Sequence, residues 1–289
     1  MARILMALAA ALAFVASAAA AQERRPSHCI SLVENTPGLA VLHRASWQPP
    51  VPEEFVRLSY IDHAMFLLQT PGGLSVVTDY SGYIGPADFV PDVVTMNHAH
   101  STHWTSAPDP RIPEVLTGWN PAGDGPIDHH LDLGEMLVRN VPTDIRGRFG
   151  GTPEAGGNSI FIFEVAGLCI GHLGHLHHEP TPEQYAAIGR LDVVMAPVDG
   201  GLTLPLPTMI GVLQRLRASI VIPMHWFSGH ALDRFVAGME EEFRVERREG
   251  RSIEVSLRTL PSEPTVVVLR PRFLGFNDGP PGATPDPVE

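Results

Sequence analysis

Five stretches of this chain are almost continuously apolar: Asp92 to Met96, Ser159 to Val165, Leu168 to His172, Asp192 to Ala196 and Ser219 to Pro223. A strand with one wet face alternates apolar and polar residues, so runs of this kind predict strands covered on both faces, in a sheet held between other layers. Helical patterns fall between the later runs. Thr181-Pro182-Glu183 reads as an N-cap with Pro at the first helical position, leading into a helix from Gln184 to Gly189, and Pro207 to Arg217 carries apolar residues at helical spacing. A third helix is predicted over Ala231 to Phe243. Upstream, Phe55 to Ile61, Ala64 to Gln69 and Leu74 to Thr78, the last following Pro71-Gly72-Gly73, predict a meander. Ser252 to Leu257 and Thr265 to Leu269 are two closing strands. With no internal repeat and no second core, the order describes one α/β domain from about residue 23 to 275, followed by a tail, 276–289, whose Pro, Gly and Asp content predicts disorder.

Composition narrows the chemistry. All 20 basic residues are Arg, so a Schiff-base lysine, a P-loop lysine and a lysine general base are excluded. The formal net charge of −12 gives no electrostatic footprint for nucleic acid. The chain has 14 His, a large stock of groups that bind metal or titrate near neutrality. Met1-Ala2-Arg3, an apolar run from Ile4 to about Val15 and the small residues Ala16 to Ala21 form the n-region, h-region and cleavage site of a signal peptide. That run is shorter than the roughly 20 residues a spanning helix needs, so the expectation is cleavage near Ala21 and a periplasmic or secreted protein free of the membrane. The residues before Cys29, Arg-Pro-Ser-His, lack the apolar character that lipidation requires. Cys29 and Cys169 are the only cysteines, and an exported chain permits either a disulfide between them or a buried thiol at Cys169.

Histidine closes three of the apolar runs. Thr95-Met96-Asn97-His98-Ala99-His100-Ser101-Thr102-His103 puts three imidazoles within six residues just after a buried strand. In an extended backbone residues two apart share a side, so His98 and His100 are expected to converge on one ion while His103 comes round from the next turn. Gly171-His172-Leu173-Gly174-His175-Leu176-His177-His178 follows a second strand, and alternation directs His175 and His177 to one side. Pro223-Met224-His225 closes a third. Strand ends gathered at one edge of a sheet are where open α/β sheets build sites. The pairs His129-His130 and His177-His178 offer at most one inward ring each.

These motifs resemble the metallo-β-lactamase fold superfamily, in particular its lactonase-like branch, over about residues 55–227. The residues carrying the resemblance are Ile61-Asp62-His63-Ala64, the run to Thr78 followed by Asp79, His98 to His103, Leu173-Gly174-His175 and Pro223-Met224-His225. The resemblance implies a four-layer αββα sandwich, one or two zinc ions at one edge, and metal-assisted hydrolysis of a small molecule. By position, His98 and His100 would bind a first ion and His103 and His225 a second, with Asp79 and His63 behind the ligands. The chain departs from the family in having Thr102 where an Asp ligand is expected, and His175 after Gly174 where a bridging Asp is expected. A further family His falls near Asp144-Ile145, after Val141-Pro142-Thr143.

Carboxylates offset the charge of two nearby divalent ions, so their loss favours one tightly bound ion over two. His98, His100 and His175 are expected to supply three nitrogens with an open fourth position, and His103 and His225 a weaker second site. An all-nitrogen site also suits copper, nickel or iron, so zinc rests on the resemblance. His103, His172 and Asp144 are candidate proton-transfer groups, and Arg146 and Arg148 candidate contacts to an anionic substrate. The expected activity is an exported metal-dependent hydrolase acting on an ester, lactone or phosphoester. The alternatives are a metal-binding protein of the same fold without hydrolysis, or a metal-dependent oxidoreductase. Nothing in the sequence marks the oligomeric state.

Overall fold

In a computed structural model, residues 24–30, 48–123, 125–147 and 152–275 are described. The expected signal peptide and tail lie outside them. The described residues form two mixed sheets packed face to face, with helices, making an α/β sandwich in one domain. The six-stranded sheet comprises β1 (Val56–Asp62), β2 (Met65–Gln69), β3 (Ser75–Val77), β4 (Val93–Met96), β5 (Glu114–Thr117) and, at its other edge, β13 (Ser252–Val255). The eight-stranded sheet runs in the order β12 (Arg244–Arg247), β14 (Thr265–Val268), β11 (Ile220–Met224), β10 (Val193–Pro197), β9 (Leu168–His172), β8 (Glu154–Val165), β7 (Met136–Ile145) and β6 (His130–Asp132).

The unbroken apolar runs have the cause the sequence suggested: each is covered twice. Leu58, Phe66, Val76 and Val93 of one sheet meet Phe161, Ile170, Met195 and Ile222 of the other in the inter-sheet core. The opposite-pointing Ile160, Val194, Val221 and Val266 pack under helices. Those helices are α1 (Pro182–Ile188), α2 (Leu206–Leu216) and α3 (Gly229–Met239), all against the eight-stranded sheet. Thr181 caps α1 as its residue type demands: its hydroxyl accepts from the Gln184 amide and the Gln184 side chain accepts from Thr181 N–H, satisfying two exposed donors reciprocally. Among the described residues, the outer face of the six-stranded sheet is covered by Tyr80, Ile84, Ile112 and Leu274 from loops rather than by a helix.

Strands β9, β10 and β11 are mutually parallel, and β3, β4 and β5 are parallel in the facing sheet. Parallel strands end at one edge together, so the segments after β4, β9, β10 and β11 are brought to a common rim. The structure also decides the cysteine question: Cys29 and Cys169 form a disulfide across 140 residues of chain, with Cα atoms 5.9 Å apart. Closing a loop that long stabilises the fold by roughly 4–5 kcal/mol in the chain-entropy account. Beside it, buried Glu164 accepts from Ser27 Oγ, the His28 amide and Arg139 Nε, fastening the same N-terminal segment to β8.

Candidate metal centre

Five imidazoles meet at the rim between the sheets. His63, from the β1–β2 turn, and His100 and His103, from the loop after β4, belong to the six-stranded sheet; His175 and His225 follow β9 and β11 of the other. One ring nitrogen from each of His63, His100, His103 and His225 lies within 4.8 Å of the others. The His175 ring stands against this group, its centroid 5.2 Å from that of His100, 5.1 Å from His103 and 4.9 Å from His225. The His225 amide donates to the His63 carbonyl at 2.8 Å, so the sheets are joined by backbone at the site itself.

Each strand ends with an unusual backbone turn. His63, Asp79 and His225 have φ of 44°, 44° and 56°, the left-handed region that residues with a Cβ seldom enter. Each such turn costs on the order of 1–2 kcal/mol and re-aims the side chain over the sheet edge, the pattern of strain stored at a functional site. At Gly174, φ is +59° and an added Cβ would lie 2.5 Å from Asn97 Nδ2 and 2.6 Å from Asn158 Oδ1, so only glycine lets the chain pass. The Asn158 side chain then accepts from the His175 amide at 2.8 Å, fixing that residue's backbone.

Three of the rings are anchored from behind. His103 Nδ1–H donates to Asp79 Oδ2 at 2.5 Å, and His225 Nδ1 lies 2.9 Å from Asp199 Oδ2. Thr102 Oγ1 is hydrogen-bonded to His100 Nδ1 at 2.8 Å. A carboxylate only accepts, so Asp79 and Asp199 favour the proton on Nδ1; Nε2 of His103 is left bare, and that of His225 lies 3.3 Å from His100 Nε2. The carboxylates are themselves fixed. Asn97 donates to Asp79 Oδ1 at 2.8 Å and accepts from the Ser159 amide of the other sheet at 2.7 Å. Asp199 accepts from the amides of Gly201, Leu202 and Thr203 and from the Thr203 hydroxyl.

The electrostatics follow from crowding and burial. Burial, then the neighbouring rings, lowers His63 and His175 to about 2; His103 falls well below its usual value and His100 falls in the same direction, for the same causes. Burial raises Asp79 to about 6. Burial also acts to raise Asp199, but hydrogen bonds from His225, Thr203 and the Gly201 amide prevail and hold it well below the carboxylate range. At neutral pH His63, His100, His103 and His175 are therefore uncharged nitrogen donors. His103 Nε2, His63 Nε2 and both nitrogens of His175 are buried without a hydrogen-bond partner. Buried polar atoms are ordinarily satisfied, and orphaned imidazole nitrogens in and beside a group of four rings with nitrogens within 4.8 Å of one another fit a transition-metal ion.

The structure rearranges several expected roles. His98 is outside the group: its ring stacks on Trp119 at 4.9 Å, meets Trp104 edge-on at 5.5 Å, and its Nδ1 lies 2.7 Å from Glu154 Oε1. The alternation that paired it with His100 fails because the loop turns there, with Ala99 N–H donating to Asn97 O and His103 N–H to His100 O. His172, expected as a proton-transfer group, has both nitrogens engaged by main chain: its Nε2–H donates to Ala64 O at 2.7 Å and its Nδ1 accepts from the Gly174 amide at 3.1 Å. Asp144 is exposed and accepts from the Gly156 amide. Arg146 gives two donors to the carbonyls of Gly201 and Thr203; Arg148 lies outside the described residues. His63, expected behind the ligands, has a nitrogen among them. His129 Nε2 lies 2.8 Å from Thr117 O, His130 Nε2 3.0 Å from Arg25 O, and His178 Nε2 accepts from the Asp144 amide, so these rings serve the fold. Sequence reasoning passed over Asp199; its signal was position alone, directly after the apolar run through Pro197-Val198.

A family model for the β-lactamase superfamily domain matches residues 57–225. A UPF0173 metal-dependent hydrolase of Carboxydothermus hydrogenoformans is 22% identical over 233 residues, 73% of this chain and 100% of the relative. A solved Thermotoga maritima structure, assigned as a candidate Zn-dependent hydrolase of the metallo-β-lactamase superfamily, is 28% identical with a TM-score of 0.52, covering 74% of this chain and 98% of the other. A metallo hydrolase from Ignicoccus hospitalis, 16% identical with a TM-score of 0.51 over 70% of this chain and 99% of its own, has the same fold. Fold, histidine rim and relatives together define the class of metal-dependent hydrolases. The chain belongs to the metallo-β-lactamase superfamily.

Proposed function

We propose that the protein is an exported hydrolase that uses one zinc ion, held by His100, His103 and His225, on an ester, lactone or phosphoester of a small molecule. The observation that carries this reading is the anchoring pattern: each of these rings has Nδ1 beside a partner behind it, Thr102, Asp79 or Asp199, which leaves Nε2 as the nitrogen an ion would take, and the Nε2 atoms of His100 and His225 meet 3.3 Å apart. Three nitrogens with an open position are the ligand count of a catalytic zinc site. The ion's contribution is Lewis acidity, toward water and toward the scissile carbonyl or phosphoryl oxygen. Asp79 and Asp199 hold tautomer and orientation. His63, with a nitrogen in the same group, and His175, whose two buried nitrogens have no partner, add further neutral donors around that position.

One ion follows from where the carboxylates stand. Asp79 and Asp199 both lie behind imidazoles, so none of the three anchored rings shares the pocket with an anionic ligand able to offset a second charge. Export is supported by the signal-peptide pattern of residues 1–21 and by the Cys29–Cys169 disulfide, a bond that persists in oxidising compartments.

The test is elemental mass spectrometry on natively exported protein, paired with hydrolysis assays before and after chelation. One zinc per chain with turnover abolished by the chelator is the expected result. Two ions per chain would overturn the single-ion assignment, and turnover undiminished in metal-free protein would overturn the mechanism.

A further inference from the structure

Phe227 is an exposed aromatic side chain, 62% accessible, against 41% for Phe273, the other exposed phenylalanine among the described residues. It follows Trp226 directly after the strand that delivers His225, and its ring centroid lies 5.2 Å from that of His63 and 5.3 Å from that of His225. Beyond those two contacts the ring is apolar surface left in water beside the histidine group. On the loop that supplies His100 and His103, half-buried Trp104 stands 5.7 Å from Trp119, with His98 against both. Leu202, 52% accessible, stands on the loop whose Asp199 anchors His225.

Charge points the same way. Phosphoester recognition calls for guanidinium or ammonium groups free to meet the phosphoryl oxygens. The chain has no Lys, and Arg146, which reaches the 199–203 loop, spends donors on the carbonyls of Gly201 and Thr203. The net charge of −12 repels an anion at long range as well.

Building on the hydrolase reading above, we infer that the substrate is an uncharged carboxylic ester or lactone with an apolar acyl or aryl group, and that Phe227 is the side chain that packs on that group and sets the preference. Phe227 is a specificity residue: it makes no contact with the bond that breaks and exchanges no proton.

The experiment uses the mature, metal-loaded protein with p-nitrophenyl acetate, p-nitrophenyl octanoate and bis(p-nitrophenyl) phosphate. Wild type is expected to favour octanoate over acetate by at least about tenfold in kcat/KM, as a pocket that takes up several methylenes does, and to favour both over the phosphodiester. Phe227→Ala is expected to cut the octanoate-to-acetate ratio about tenfold, mainly through KM, while Phe227→Leu keeps it within about twofold because the apolar surface is retained. Calorimetric binding of octanamide, weakened about tenfold by Phe227→Ala, gives a readout independent of turnover. A wild-type preference for the phosphodiester, or a ratio untouched by Phe227→Ala, overturns the inference and leaves the hydrolase reading standing. No turnover of any of the three by zinc-loaded protein overturns both.

Discussion

His103 and His172 are both fully buried imidazoles brought to the same region by facing sheets, yet their surroundings divide them. The main chain satisfies both nitrogens of His172, through Ala64 O and the Gly174 amide. One nitrogen of His103 meets a carboxylate and the other meets nothing. A buried ring with both ends used is part of the scaffold, whereas a ring held at one end and open at the other is poised for a ligand that the protein itself does not provide. Every histidine in the chain is the same residue type, so it is the second partner that separates site from scaffold.

Replacing each of the two rings is the strongest way to break this contrast. His103→Ala is expected to reduce bound metal to below about 0.1 per chain, because a three-ligand site does not survive the loss of one ligand. His172→Ala is expected to keep the metal and lose about 1–3 kcal/mol of stability, since it strands the buried Gly174 amide and leaves Ala64 O with the Thr78 hydroxyl alone. Elemental analysis and urea titration of both variants check the pair, and equal metal loss in both would erase the distinction.

The anchors come next in size. Asp79→Asn and Asp199→Asn keep shape and remove charge, and each is expected to weaken metal affinity by about 10–100-fold in a competition titration with a chromophoric chelator. Unchanged affinity would mean that the carboxylates serve packing alone.

Acid sharpens the comparison in the metal-free protein. The folded values of His63 and His175 are lowered from 6.5 to about 2, and those of His100 and His103 move the same way, so below about pH 6.5 the unfolded chain binds more protons and stability falls with pH. Asp79, raised from 3.8 to about 6, and Asp62, also raised, act oppositely across that interval, but His172 and His177 are lowered as well, so two groups stand against six. Denaturant midpoints of the metal-free protein are expected to drop steadily from pH 7 to pH 4, and to drop less in His175→Phe, whose unfolded chain takes up one proton fewer. A flat profile would contradict the crowding of neutral rings.

The smallest effect is expected at His98. His98→Ala leaves its metal content within about twofold of wild type, because the ring is held by Trp119 and Glu154 rather than by the group. Loss of metal in this variant would return His98 to the ligand set.

The layered core was legible because two-sided burial writes itself into sequence: strands such as Val93–Met96 and Ile220–Met224 end within a residue of where their apolar runs do. Strands β6 and β7 were not, since Pro142 and the polar Arg139, Asn140 and Thr143 interrupt the pattern that marks a buried strand, and β12 is a solvated edge. At the site, His100, His103, His175 and His225 could be named from their places after apolar runs. His98 could not be placed, because alternation presumes an extended chain and this loop is turned. Asp199 carried no local pattern at all; a lone Asp before Gly-Gly is a common turn, and only the tertiary approach of His225 gives it meaning.

The site's residues are divided between the two sheets: His63, Asp79, His100 and His103 from one, His175, Asp199 and His225 from the other. Each sheet can complete its own ladder alone, so the cavity exists only after the halves have docked, and an ion seated there acts as a rivet across the seam. By mass action such a rivet adds about 4 kcal/mol when free metal stands a thousandfold above its dissociation constant, and nothing when metal is scarce. The lifetime of the protein against proteolysis is thereby tied to the metal supply of the compartment in which it folds.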